Sequence, residues 1–247
     1  MRIIYRDLGR MEYGACWKYQ QQLFDRMVAA KAPAAKNEEK SPENGRFFDD
    51  FVREAGDAAG YLLFVEHPPV YTLGKSGKAA NLLCSEEWLR ARGAEVFRID
   101  RGGDVTFHGP GQLVGYPILD LERLGIGLRR YIELLEESVI GAVARYGITG
   151  CRSEGASGVW IAPSEHRPLR KICAIGVRSS RYITMHGFAL NVATDLQWFN
   201  HINPCGFSDR GVASIAGETG QPVSMDEVKE LVANCLAKNL KVEIYKK

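Results

Sequence analysis

Cys205 sits in Ile202-Asn203-Pro204-Cys205-Gly206-Phe207, where a proline fixes the approach of the chain and a glycine leaves the far side of the thiol open. That frame suits a nucleophile. A free thiol titrates near ~8.5, so at neutral pH only a few per cent is thiolate unless a cation, a helix N-terminus or a base draws the proton away. Lys171 is the candidate partner, because it opens the apolar run Lys171-Ile-Cys-Ala-Ile-Gly-Val177. An ammonium there is costly unless it faces solvent, a partner or a pocket. Strict strand alternation would set Lys171, Cys173 and Ile175 on one face, which makes Cys173 a competitor for the lysine. The Pro-Cys-Gly frame favours Cys205, and its apolar neighbours mark Cys173 as core. His186 and Asn191 invite a Cys-His-Asn hydrolase reading, but no protease signature surrounds them.

A second cluster is Arg101-Gly-Gly-Asp-Val-Thr-Phe-His-Gly-Pro-Gly111, with four glycines, an arginine and a histidine in eleven residues. Glycine lets backbone come close to a ligand, and successive N–H groups can then donate to an oxyanion or an acyl carbonyl. The spacing fits neither a Walker loop nor a Rossmann turn. Arg101 and His108, at the two ends of the loop, point to a substrate cradle rather than to a pair of plain turns. Gly187, inside an apolar strand pattern, marks another close backbone approach and extends the cradle to Gly187, Phe188 and Ala189.

Composition narrows the classes of function. The 247 residues are 45% hydrophobic, and 32 basic against 30 acidic residues leave a charge of +2. That balance gives no broad electrostatic footprint for nucleic acid. No apolar run approaches membrane-spanning length, and the first 22 residues lack an export signal. Six cysteines without close paired spacing read as free thiols. A cytoplasmic enzyme without metal, membrane or nucleic-acid contact is expected.

These groups need a scaffold. Alternation and breakers predict strands at 3–5, 61–65, 70–73, 94–99, 112–119, 158–162, 171–178, 182–192 and 241–245. Residues 163–170 read as the bend of a hairpin. Helical spacing predicts helices over 13–28 and 127–146, the second stopped by Gly147, and a short one at 196–202. Ser224 and Glu227 form a capping box that opens a last helix carrying Val228, Leu231, Val232, Cys235 and Leu236. Residues 31–59 are polar and rich in breakers and read as a surface insertion, with Phe47, Phe48 and Phe51 as a docked patch. With no repeat and no linker, one domain over 1–247 is expected.

Taken together, the Arg101-to-Val114 block, Lys171-Ile-Cys-Ala-Ile-Gly-Val-Arg178, His186-Gly-Phe-Ala-Leu-Asn-Val192 and Asn203-Pro-Cys-Gly206 closely resemble the lipoyl(octanoyl) transferases. Glu66-His-Pro-Pro-Val-Tyr-Thr-Leu-Gly74 and Gly158-Val-Trp160 add weaker matches. The resemblance implies an α/β, mixed-sheet catalytic fold of the biotin and lipoate protein ligase type. It implies octanoyl transfer, without ATP or any cofactor, from octanoyl-acyl carrier protein to a lysine of the lipoyl domains of 2-oxoacid dehydrogenase subunits or of glycine-cleavage H protein. A monomer is expected. By similarity Cys205 carries the acyl thioester and Lys171 lowers its pKa. Substrate contacts fall on Arg101, Gly102, Gly103, Asp104, Val105, Thr106, Phe107 and His108, on Ala174, Ile175 and Gly176, and on Gly187, Phe188 and Ala189. The chain departs from the family's pattern in the insertion, in Phe107 where tyrosine is frequent, and in Cys173 where a small apolar residue is common. The alternatives are an ATP-dependent lipoate or biotin ligase, which needs no nucleophilic thiol, and a non-catalytic binder of carrier or lipoyl domains.

Overall fold

The computed structural model describes residues 1–31, 58–203 and 210–246. Strands β1 (Arg2–Arg10), β2 (Gly60–Glu66), β6 (Gln112–Leu119), β7 (Gly150–Ser153), β8 (Ala156–Ile161), β9 (Arg170–Ser180), β10 (Ile183–Asn191) and β12 (Glu243–Lys246) form the main sheet, in the order β12-β1-β2-β6-β10-β9-β8-β7. The β12–β1 and β1–β2 pairs are parallel and the others antiparallel. Strands β3 (Val70–Leu73), β4 (Glu95–Arg98) and β5 (Val105–His108) make a small second sheet in the order β4-β3-β5.

The two faces of the main sheet are covered by different helices, which explains why β6 and β10 are buried at every position. One face packs Leu62, Phe64, Leu113, Phe188 and Leu190 against α3 (Leu128–Ala144), Ile215 of the short α4 (Ile215–Thr219) and α5 (Met225–Leu240). The other packs Leu63, Val65, Val114, Met185 and Ala189 against Cys16, Leu23 and Phe24 of α1 (Tyr13–Ala30). A third core under the small sheet joins Tyr71, Leu89, Val105 and Phe107 to the 3₁₀ turn Leu196–His201. It also takes in α2 (Glu86–Arg90). Ser224 caps α5 by accepting from the Glu227 N–H, as the capping box predicts.

The expected 31–59 insertion needs correction at its far end. Ala58 and Ala59 are buried, and the Ala59 N–H donates to Arg2 O at 2.8 Å, so the core resumes two residues sooner. Residues 32–57, including the phenylalanine patch, lie outside the described residues. Among the described residues no helix is long and apolar enough to cross a membrane.

Candidate functional site

Three backbone segments meet where side chains are missing. Gly102 N–H donates to Val177 O of β9 at 2.9 Å, and a Cβ on Gly176 would lie 2.7 Å from Gly102 O. A Cβ on Gly74 would lie 2.4 Å from Gly103 O. Such separations are below any normal contact, so glycine is what lets the Arg101 loop bed on β9 and under the turn after β3. That turn is laced to the loop by Gly74 N–H to Asp104 O (3.1 Å), Lys75 N–H to Arg101 O (3.0 Å) and Ser76 N–H to Gly103 O (3.1 Å). The Asp104 carboxylate accepts from Lys78 N–H at 3.3 Å and from the Asn81 side-chain amide. Arg101 is buried, with Nη2 donating to Thr72 O (2.7 Å) and Thr72 Oγ1 (3.0 Å) and Nη1 to Gly102 O (3.0 Å). A cleft of about 420 Å³ adjoins this stack, lined by Trp17, Leu73, Gly74, Gly77, Arg98 and Asp100 among others.

Behind the loop stand two buried histidines in one defined tautomer each. His67 Nδ1 donates to Met11 O (2.7 Å), so its Nε2 accepts from the Tyr116 hydroxyl (2.8 Å). His108 Nδ1 donates to Gln112 Oε1 (2.8 Å), and Nε2 faces the Thr72 hydroxyl at 3.4 Å. Tyr13 stacks on His108 with rings 9° from parallel. Burial pushes His67 down to about 4, only partly offset by the Met11 carbonyl. Burial, and then the neighbouring His67, push His108 down to about 3. Both rings are neutral at physiological pH and act as fixed hydrogen-bonding groups.

His186 occupies β10 with φ of 63°, a left-handed conformation that a non-glycine residue holds only at a cost of about 1–3 kcal/mol. Its Nε2 donates to Asp100 Oδ1 at 3.0 Å, and Asp100 also pairs with Arg178. Burial lowers the His186 pKa against the opposing pull of Asp100, and the His186 hydrogen bond holds the Asp100 carboxyl below its ordinary range. Its Nδ1 is buried with no hydrogen-bond partner among the described residues.

Lys171 is half-buried on β9, its Nζ lying 4.4 Å from the centre of the Trp160 ring. Here the expected alternation fails. Val159 pairs with Cys173 but Trp160 pairs with Lys171, so a bulge places two β9 residues against one of β8. Ile172 and Cys173 are consecutive, fully buried members of the same core, while Lys171 turns to Trp160. Burial drives the Cys173 thiol well above its ordinary value despite the Lys171 charge. Cys173 is therefore an inert core thiol rather than a rival nucleophile.

The other positions in the cradle divide by face. Phe107 stacks on Trp198 with ring centres 5.3 Å apart, and with Val105 it fills the small-sheet core. Thr106 is half-buried between them. Ala174, Ile175 and Gly176 pair with Ala189, Phe188 and Gly187 across β9 and β10. Ile175 and the Phe188 ring pack into the core under α3 and α5, and Ala189 into the core under α1. Cys205 lies outside the described residues. Its described flanks are Asn203, whose N–H donates to Asn81 O at 2.8 Å, and Arg210, which stacks on Trp160 at 5.1 Å. Strand β11 (Gly211–Val212) then pairs parallel with Arg170 and Lys171. Among the described residues no group of three or more His, Cys, Asp or Glu side chains could hold a metal. Thr72, Asn81, Asp100 and Trp160 were not legible as site residues. Of these Thr72 and Trp160 left a signal, in the Glu66-to-Gly74 and Gly158-Val-Trp160 blocks.

Residues 44–237 match the family described as lipoyl protein ligase A/B catalytic domain. A curated octanoyltransferase of Bacteroides fragilis is 49% identical over 230 residues, covering 93% of this chain and 94% of that protein. One of Porphyromonas gingivalis is 50% identical over 235 residues, covering 95% of this chain and 44% of that longer protein. Among solved structures, one of a bi-partite lipoate protein ligase and its E2 lipoyl domain from Thermoplasma acidophilum aligns with TM-score 0.65 at 14% identity, covering 100% of this chain and 86% of that one. At that identity the likeness is one of fold, and it is the α/β ligase-type fold that the sequence blocks imply. On the family match and the two octanoyltransferases, this chain belongs to the lipoyl protein ligase A/B catalytic-domain family and, within it, to the octanoyltransferases.

Proposed function

We propose that this chain transfers an octanoyl group from octanoyl-acyl carrier protein to a lysine of a lipoyl domain through a thioester on Cys205. The observation that carries the Cys205–Lys171 pairing is β11: the chain that follows Cys205 pairs at Val212 with Lys171 itself, and Arg210 shares the Trp160 ring with the lysine. Cys205 attacks the carrier's thioester carbonyl as the thiolate, its proton held by Lys171. The carrier's thiolate leaves and takes up the proton that Lys171 holds, which returns the lysine to its neutral form. The target amine then attacks the enzyme thioester, Cys205 leaves as thiolate, and the amine proton passes to Lys171 as base. One thioester is exchanged for another, so the first step needs no ATP.

Backbone N–H groups of the Arg101 loop are the donors for the acyl oxygen and its tetrahedral intermediate. The acyl chain runs along the Ala174–Gly176 and Gly187–Ala189 pair. The work is cytoplasmic and the protein acts as a monomer. Incubation with octanoyl-carrier protein without ATP, followed by intact mass, tests the reading. An octanoyl adduct is expected on the wild type and on Cys173→Ser, and none on Cys205→Ala. An adduct that persists in Cys205→Ala, or that requires ATP, overturns it.

A further inference from the structure

The β8 strand opposite Lys171 is shaped in three ways that core packing does not require. The bulge of β9 against it sets Trp160 directly across from Lys171. The Trp160 ring is 2% exposed, and its Nε1–H donates to Ala156 O at 3.3 Å, so the plane that Lys171 Nζ meets at 4.4 Å is held in place. Two residues earlier, Gly158 has φ of +124°, and a Cβ there would lie 2.5 Å from Cys173 O and 3.6 Å from Lys171 Cε. The clash is with the β9 backbone at Cys173 O, so glycine is what lets β8 lie this close beside the lysine, whose Cε is at ordinary contact distance. Gly158 N–H donates at 2.9 Å to Oε1 of Glu136, a carboxylate only 6% exposed in the middle of α3, whose Oε2 accepts from Arg152 Nε at 2.8 Å. A carboxylate buried in an apolar helix face is costly, and this one is offset by the Arg152 ion pair while its other oxygen ties down the strand amide beside the lysine.

We propose that Trp160 is a positioning residue for Lys171, holding the ammonium over its indole face, and that Glu136 anchors β8, the strand that presents Trp160 to the bulge of β9. The indole quadrupole attracts the charged ammonium and not the neutral amine. Trp160 therefore favours the pair in which Lys171, as ammonium, holds the Cys205 proton over the pair of neutral amine and thiol. This rests on the reading that Lys171 activates Cys205.

The test is the pH dependence of Cys205 alkylation by iodoacetamide, followed by peptide mass in the full-length protein, together with single-turnover acylation by octanoyl-carrier protein. Wild type, Lys171→Ala, Trp160→Leu and Trp160→Phe are compared, with thermal unfolding of each as the check on folding. The strength of an indole–ammonium contact sets the expected effect: Trp160→Leu raises the alkylation midpoint and slows acylation at neutral pH between about two- and thirty-fold, with KM for the carrier unmoved. Trp160→Phe keeps a ring face and restores most of the loss. If Trp160→Leu folds and titrates like wild type while Lys171→Ala shifts the midpoint, Trp160 only packs and the inference fails. Should Trp160→Leu not fold, a Trp160→Phe protein that loses as much as Lys171→Ala also overturns it. If Lys171→Ala itself leaves the midpoint unmoved, the underlying Lys171 reading falls with it.

Discussion

Lowering the pH from 7 to 5 is expected to strip this protein of stability well before its carboxylates titrate. His67 and His108 are buried neutral, with folded-state values of about 4 and about 3 set mainly by desolvation. An unfolded chain binds the same protons near ~6.5. Between these limits the unfolded state takes up protons first, so stability falls as pH falls. Each histidine then removes about 2 kcal/mol between pH 7 and pH 5, and the two together about 4 kcal/mol, a large share of a typical folding free energy. The hydrogen bonds enforce the penalty. A proton on His67 Nε2 meets the Tyr116 hydroxyl that now donates to it, and a proton on His108 Nε2 adds a second charge with ring centres 6.1 Å apart. Burial lowers His186 in the same direction. Urea unfolding at pH 7, 6 and 5 measures the loss, and histidine ring shifts in the folded protein read the two sites directly. A loss below about 1 kcal/mol, or a ring titrating near its free value in the folded state, refutes the reasoning.

Three further outcomes follow from the packing around the loop. Gly176→Ala puts a methyl 2.7 Å from Gly102 O and 3.2 Å from Arg101 Cδ. The Arg101 loop must lift, and KM for octanoyl-carrier protein is expected to rise about tenfold, for about 1.4 kcal/mol of lost binding, with little change in melting temperature. Asp104→Ala removes the acceptor for Lys78 N–H and the Asn81 amide, and Asn81 O in turn holds Asn203. Acylation is expected to slow, with faster proteolysis between residues 74 and 83, and unchanged cleavage there counts against the clamp. Ser224→Ala deletes the α5 cap, at a cost of about 1 kcal/mol in urea unfolding, and leaves transfer kinetics at the wild-type level.

What could be read from the residues alone was what local chemistry dictates. The glycines of the Arg101 block and Gly187 announced close backbone approach, and Gly102 N–H does dock on Val177 while a Cβ on Gly187 would lie 2.2 Å from Gly115 O. The Ser224 cap was legible because capping is settled within four residues. What escaped depends on partners distant in sequence. The four-residue β5 is flanked by glycine and reads as loop until β3 pairs with it. The two-residue β11 has no periodicity to detect. Alternation promised Lys171 and Cys173 on one face, and a bulge invisible in either strand alone undid it. Glu136, in a helix otherwise correctly anticipated, looks like any solvated acid until Gly158 N–H is found 2.9 Å away.

The Arg101 side chain shows how a shared fold is turned to one chemistry. An arginine in a glycine loop invites a phosphate, yet here Nη2 is committed to Thr72 O and Oγ1 and Nη1 to Gly102 O, all within the protein. Thr72 is held in turn: its oxygen accepts from Arg101, and its hydroxyl faces His108, whose other nitrogen is fixed by Gln112. Gln112 also reaches Asn191 at 2.8 Å, and Asn191 donates to Ala213 O, the residue after β11. The chain of contacts therefore runs from the glycine loop through a neutral histidine to the segment that pairs with Lys171. A charged His108 would break it at the centre, because Nε2 would then donate toward a hydroxyl already placed to donate. The burial that keeps His108 neutral thus preserves the register between loop and lysine, and in the folded protein this contact chain should hold until the pH approaches about 3, after folding stability has already fallen.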